Sequence, residues 1–198
     1  GVDVDYTGTI NGWTSCVLSG VPILNNGTDA PQQWLLTGKA TALSNWPAST
    51  TCKSLRVYKN SLIAINVTES STNYPFMIRW STAADPGSVP ASWDYTSATV
   101  DAGRVDVSDS LGGELVDGLA LRDSFMLYAK QAIFRMDYTG GAFVYRISKV
   151  LGASGVLNKN CIVEIPGGYH CVFGADDVYV HDGTSPLSIL DKQTRRFL

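Results

Sequence analysis

Near the end of the sequence, Asp176-Asp177, Tyr179 and His181-Asp182-Gly183 place carboxylates, a phenol and an imidazole close together. These are the side chains that general acid-base catalysis uses. The same residues also read as turn chemistry. Asp176 and Asp177 follow Gly174, where Asp side chains bond nearby backbone groups, and Asp182-Gly183 is a turn dipeptide closing the next strand. The turn reading is favoured, and no catalytic residue is assigned.

Other chemistries find less support. Calcium loops of the EF-hand type need Asp or Asn at alternate positions and a closing Glu, and that Glu is missing here. Cys16, Cys52, Cys161 and Cys171 show no CxxC or Cys/His spacing, so zinc is not expected and free thiols are. His170 stands at a strand start beside Cys171, and one His with one Cys is more often packed than ligating. No Gly-x-Ser-x-Gly elbow is present; Gly152-Ala153-Ser154-Gly155 comes nearest and reads as a loop. A phosphate-cradling Gly-rich loop with a Lys is absent too. No metal and no cofactor is expected.

Five tryptophans, Trp13, Trp34, Trp46, Trp80 and Trp93, are the types that stack on sugar faces. Trp34 and Trp80 recur at matching places in the repeat described below, which favours core packing between blades. Trp93 lies in a polar stretch, flanked by Ser92, Asp94 and Tyr95. Trp93 and Tyr95 are therefore the candidate partner contacts, because aromatic anchors in mixed surroundings are typical of interface centres.

The elements that must position these residues are strands. Short runs rich in Val, Ile, Tyr and Phe recur between Gly, Asn, Asp and Ser clusters, and no window sustains a 3.6-residue apolar period. The clearest are Leu55 to Tyr58, Leu62 to Ile65, Phe76 to Trp80, Phe125 to Tyr128, Ala132 to Met136, Phe143 to Ile147 and Val178 to Val180. The class is all-β, built of antiparallel hairpins.

Four tight turns, Ser19-Gly20, Lys59-Asn60, Arg122-Asp123 and Gly167-Gly168, each precede an apolar strand, a polar turn and a second strand. Their spacing of about 40, 63 and 45 residues brackets the period of a four-stranded propeller blade. A two-sheet sandwich has similar hairpins and is the competing architecture. Blades need neighbours to bury both faces, so the pattern predicts one all-β region over residues 1–198 that forms part of a larger propeller. The long interval contains residues 81–113, with Asp85-Pro86-Gly87 and Val89-Pro90, and is read as a polar loop or insertion between blades.

Composition sets the remaining bounds. Apolar residues make up 44% and charged residues 17% of 198, which suits a globular body rather than a disordered tail. Net charge is −3 and no basic run exceeds Arg195-Arg196, so strong or sequence-reading nucleic-acid binding is not expected. No apolar stretch approaches the ~20 residues of a membrane-spanning helix, and no membrane anchor is expected. The start at Gly1 rather than Met, without a signal-peptide pattern, reads as an excerpt of a longer polypeptide. Asn26-Gly27-Thr28 and Asn66-Val67-Thr68 fit the glycosylation tripeptide, which carries no weight without a secretory context.

Several stretches resemble the nozzle family of short-tailed bacteriophage tails, the tail tubular B-type proteins. They are Gly20 to Gly27 with Pro31-Gln32-Gln33-Trp34, Trp46-Pro47, Cys52 to Asn60, Arg79-Trp80-Ser81, Pro90 to Asp94, Leu119 to Asp123 and Asp176 to Gly183. The resemblance implies a β-propeller component of the virion tail, assembled in the host cytoplasm as a homohexameric ring. Adaptor-ring proteins and tail fibres would be its partners, and genomic DNA would pass through its centre without sequence recognition. It implies no catalytic residue. Whole nozzle subunits are several times longer than this chain. The alternative from another class is a carbohydrate-binding or glycosidase-like propeller, against which stands the lack of Ser-x-Asp-x-Gly-x-x-Trp repeats and of an arginine cluster. A cellular scaffold propeller is a third reading, weakened by the absence of Trp-Asp repeat endings.

Overall fold

The computed structural model describes residues 6–8, 12–107, 112–140 and 144–190. Gly1 to Asp5, Phe143 of the expected strand and Arg195-Arg196 lie outside the described residues. Sixteen strands among the described residues form four antiparallel sheets, each of four strands meandering in chain order. They are propeller blades. Blade 1 holds β1 (Thr14–Leu18), β2 (Val21–Asn25), β3 (Gln32–Gln33) and β4 (Thr41–Ala42). Blade 2 holds β5 (Thr50–Tyr58), β6 (Ser61–Glu69), β7 (Thr72–Trp80) and β8 (Gly103–Asp106). Blade 3 holds β9 (Leu115–Leu121), β10 (Ser124–Ala129), β11 (Ala132–Tyr138) and β12 (Tyr145–Gly152). Blade 4 holds β13 (Ile162–Ile165), β14 (Tyr169–Phe173), β15 (Val178–His181) and β16 (Pro186–Ser188).

The four expected turns are the first hairpin of each blade. Leu18 pairs with Val21, Tyr58 with Ser61 and Leu121 with Ser124, leaving two-residue loops. Such loops match strand twist when their backbone turns left-handed, and Ser19, Gly20, Lys59 and Arg122 all have positive φ. In blade 4 the loop has three residues, Pro166-Gly167-Gly168, between paired Ile165 and Tyr169. The sandwich reading fails here because each sheet contains only consecutive strands, with no Greek-key crossing.

The chain divides into two compact units, Gly1–Val105 and Asp106–Leu198. In the first, β1 and β2 lie against β5. Leu18, Val21 and Ile23 of blade 1 pack with Cys52, Leu55, Leu62, Ala64 and Val67 of blade 2. In the second unit β9 lies against β13. Val116, Met126, Tyr128 and Ile133 of blade 3 there share a core with Val172 and Tyr179 of blade 4. All four cysteines are free thiols, and burial pushes the Cys16 thiol up to about 12.

Residues 81–113 are not loop throughout. Gly103–Asp106 form the outer strand of blade 2, so the long connection is the one joining β7 to β8. Trp80 fixes that strand: a Cβ on Gly103 would lie 2.3 Å from Trp80 Cζ2, and the Trp80 indole N–H donates to Asp101 O at 2.7 Å. Trp80 is buried, as expected of a core aromatic. Trp34 is not. It is 40% exposed, because the neighbouring Gln33 takes the inward position and alternation turns Trp34 outward.

Candidate functional site

Trp93, one of the two expected partner contacts, is 3% exposed and belongs to the core of the first unit. The expectation that it anchors a partner is corrected. Its ring stands edge-on to Trp46 at 4.7 Å, held there because the connection from β7 folds back over the blade: Thr82 N–H donates to Ser92 O at 3.0 Å. The polar neighbours that suggested an interface are satisfied locally instead. Asp94 Oδ1 accepts from Thr96 N–H and Oγ1, which lowers its carboxyl below the usual range.

Tyr95, the other candidate, remains at the surface with 37% exposure. Arg104 stacks over its ring at 3.9 Å and Arg79 at 5.0 Å. Glu69 collects both guanidiniums, Arg79 at 2.7 Å and Arg104 at 3.1 Å. Arg79 also donates to Trp93 O at 2.7 Å. The cluster pins the long connection to the end of β6 and holds Tyr95 in one orientation, a rigid aromatic facing outward.

The carboxylates and imidazole that lie close in sequence do not assemble as one site. Asp177 O accepts from Gly174 N–H at 2.8 Å and its Oδ1 from Ser188 Oγ at 2.8 Å, inside the β14–β15 turn. Asp182 accepts from Thr184 N–H and Oγ1, which holds its carboxyl below the usual range. Both are turn carboxylates, as their sequence setting favours. His181 points the other way, into the core at 1% exposure.

There His181 meets Tyr128, the last residue of the apolar run Phe125 to Tyr128. Tyr128 Oη, on β10, lies 2.6 Å from His170 Nδ1 on β14 and 2.7 Å from His181 Nε2 on β15. The two histidines are cross-strand partners. His170 Nε2 lies 2.8 Å from Ala120 O, and Gly183 N–H donates to His181 Nδ1 at 3.0 Å. A carbonyl only accepts and a backbone N–H only donates, so the proton positions follow. His181 carries its proton on Nε2 and gives it to the Tyr128 oxygen. Tyr128 donates its own hydroxyl to His170 Nδ1, and His170 donates from Nε2 to Ala120 O. One directed chain of four hydrogen bonds satisfies every polar atom of the three side chains.

This chain needs both imidazoles neutral. Desolvation lowers His170, and desolvation together with the nearby His170 lowers His181 to about 4. Burial likewise raises Tyr128 well above the ordinary phenol range, aided by the charges of Tyr179 and Asp117. A general base must reach a substrate proton, and these groups are sealed, Tyr128 and His170 being fully buried. The arrangement specifies how blades 3 and 4 pack. A signal was legible in hindsight: a Tyr inside an otherwise apolar strand requires a partner for its hydroxyl, and the chain has two His to offer.

The second unit also has an open cleft of about 920 Å³, lined by Lys130, Ser154, Asp176, Asp177, Tyr179 and Ser188 among others. Its main donors are engaged with the chain itself: Lys130 Nζ with Leu157 O at 2.7 Å and Tyr179 Oη with Gly155 O at 2.9 Å. Gly155 admits no side chain, since a Cβ would lie 2.1 Å from Lys130 O. Among the described residues no group of three or more His, Cys, Asp or Glu is placed to hold a metal ion.

Comparison with models of known protein families gives no match, and comparison with curated proteins gives none.

Proposed function

We propose that this chain is a structural virion component, a run of blades in the tail nozzle ring of a short-tailed bacteriophage, and that it acts by assembly and not by catalysis. The observation that carries the assembly reading is the outward face of blade 4. On it Val163, Tyr169, Phe173, Leu187 and Ile189 are all exposed large apolar residues. A sheet face of that composition is a surface for another protein layer. The motifs resembling the nozzle family supply the choice of assembly. On this reading the ring passes DNA without holding it, in keeping with a net charge of −3.

Mass spectrometry of purified particles from a phage encoding this chain, with gold-labelled antibody against the second unit, tests the reading. The expected result is a stoichiometric virion protein labelled at the tail tip. A protein absent from particles and left in the lysate contradicts it.

The cleft in the second unit favours a second reading, a carbohydrate-binding propeller, since hydroxyls and carboxylates are what sugars bond to. Glycan-array binding that is lost on Asp176→Ala would support it over the first.

A further inference from the structure

In blade 1 the connection from β3 to β4 leaves six consecutive residues, Trp34 to Lys39, exposed. Its first three are large and apolar: Trp34 is 40%, Leu35 52% and Leu36 60% exposed. An extended chain sends successive side chains to opposite faces, so a strand leaves only every second one in water. That alternation breaks at Leu36, whose φ of 62° lies in the left-handed region. A bulky side chain at such a φ is a backbone outlier, and outliers of this kind cluster at sites that bind. Leu35 and Leu36, though adjacent, both stand out from the blade.

Two hydrogen bonds hold the base of this tip. Trp34 N–H donates to Pro22 O at 3.0 Å, carrying the β2–β3 pairing one residue further. The indole Nε1–H donates to Gly38 O at 3.1 Å and closes the loop on itself. Trp34 thereby falls in one row with Pro22 and with Val17, which is 63% exposed. Apolar surface runs from the blade onto the tip without a break. Lys39 closes the loop, and between Asp29 and Glu69 the sequence holds Lys39, Lys53, Arg56 and Lys59 and no acidic residue, in a chain of net charge −3.

We propose that this tip inserts into the headgroup boundary of a lipid bilayer, with Trp34, Leu35 and Leu36 entering its apolar side and Lys39 meeting lipid phosphates. Three observations favour a lipid surface over a protein pocket. The feature is a protrusion of six exposed residues in a row, whereas a protein layer laid on a sheet meets alternate residues. The indole N–H is already bonded within the loop, so the ring can leave water without stranding a donor. A Trp beside Leu side chains, with a Lys at the rim and no acid, is the set that bilayer interfaces collect. Shallow insertion needs no spanning segment, and among the described residues no helix is long and apolar enough to cross a membrane. The inference goes beyond the assembly reading, since the exposed face of blade 4 takes no part in it.

Flotation of the full chain with vesicles of phosphatidylcholine and phosphatidylglycerol tests the proposal. The wild type should rise with the vesicles, and phosphatidylcholine brominated on its acyl chains should quench its tryptophan fluorescence. Binding strength follows the apolar area inserted, so Trp34→Ala should weaken binding at least about tenfold. The double variant Leu35→Ser with Leu36→Gly should do the same, and its glycine suits the left-handed φ at position 36, so thermal melting should stay at or above wild type. If Trp34→Ala fails to fold, that double variant carries the test. Trp34→Phe should still float while losing most of the quenching. A wild type that stays at the bottom of the gradient overturns the proposal and leaves the tip as a contact for a protein. Variants that float as well as wild type also overturn it, by placing the lipid contact on another surface such as the exposed face of blade 4. So does flotation without quenching by the brominated chains.

Discussion

The hydroxyl of Tyr128 donates to Nδ1 of His170 at 2.6 Å while accepting from His181, and this one oxygen joins strands of blade 3 and blade 4. Its removal has a predictable cost. In Tyr128→Phe the ring still fills its space, but His170 Nδ1 and the His181 Nε2 proton lose their partner while buried. Leaving a buried polar group unsatisfied costs about 1–3 kcal/mol, so the second unit should lose about 2 kcal/mol or more. Urea unfolding followed by hydrogen exchange in blades 3 and 4 measures it, and a change below about 0.5 kcal/mol would mean the chain of bonds is not contributing.

The same network predicts acid sensitivity. Both imidazoles are lowered in the fold, His181 to about 4 against 6.5 for the free group. Between those values the unfolded chain binds protons that the folded chain refuses, so stability is complete above pH 6.5 and declines toward pH 4. At about 1.4 kcal/mol per unit the His181 shift is on the order of 3 kcal/mol. These lowered values already include the opposing pull of Glu164 on His170 and of Asp182 on His181. Unfolding midpoints measured from pH 7.5 to 4 should show this slope, and His181→Gln should flatten it.

Trp93→Ala should damage the fold and not a docking surface. Removing a buried Trp costs about 3–5 kcal/mol, and Trp46 loses its edge-on neighbour. Tyr95→Ala, at the surface, should cost under about 1 kcal/mol through the two cation-π contacts. Calorimetry of the two variants separates them; equal melting points would contradict the burial assigned to Trp93.

Gly103→Ala should unseat the outer strand of blade 2. Its methyl would fall where the Trp80 ring sits, and overpacking of this kind costs about 1–3 kcal/mol. Loss of Trp80 fluorescence ordering together with faster exchange of β8 amides is the expected readout.

How far these features were legible in the sequence depends on the range of the signal. Tight turns are local, so Ser19-Gly20, Lys59-Asn60 and Arg122-Asp123 located three blade hairpins directly. The Asp-Gly turn at Asp182 was equally plain. Trp93 misled because its immediate neighbours are polar, while its burial is set by Trp46 and by a loop that folds back from β7. Trp34 misled in the opposite sense: the two-residue strand β3 puts Gln33 inward, and no periodicity is readable over two positions. Tyr128 and His170 are 42 residues apart. Only the stacking of blades brings them together, and that information is absent from any window of the sequence.

Electron microscopy of the purified full-length gene product tests the central claim most directly. The account predicts class averages showing a ring with a central hole. Uniform single globules at concentrations that saturate the grid would contradict it.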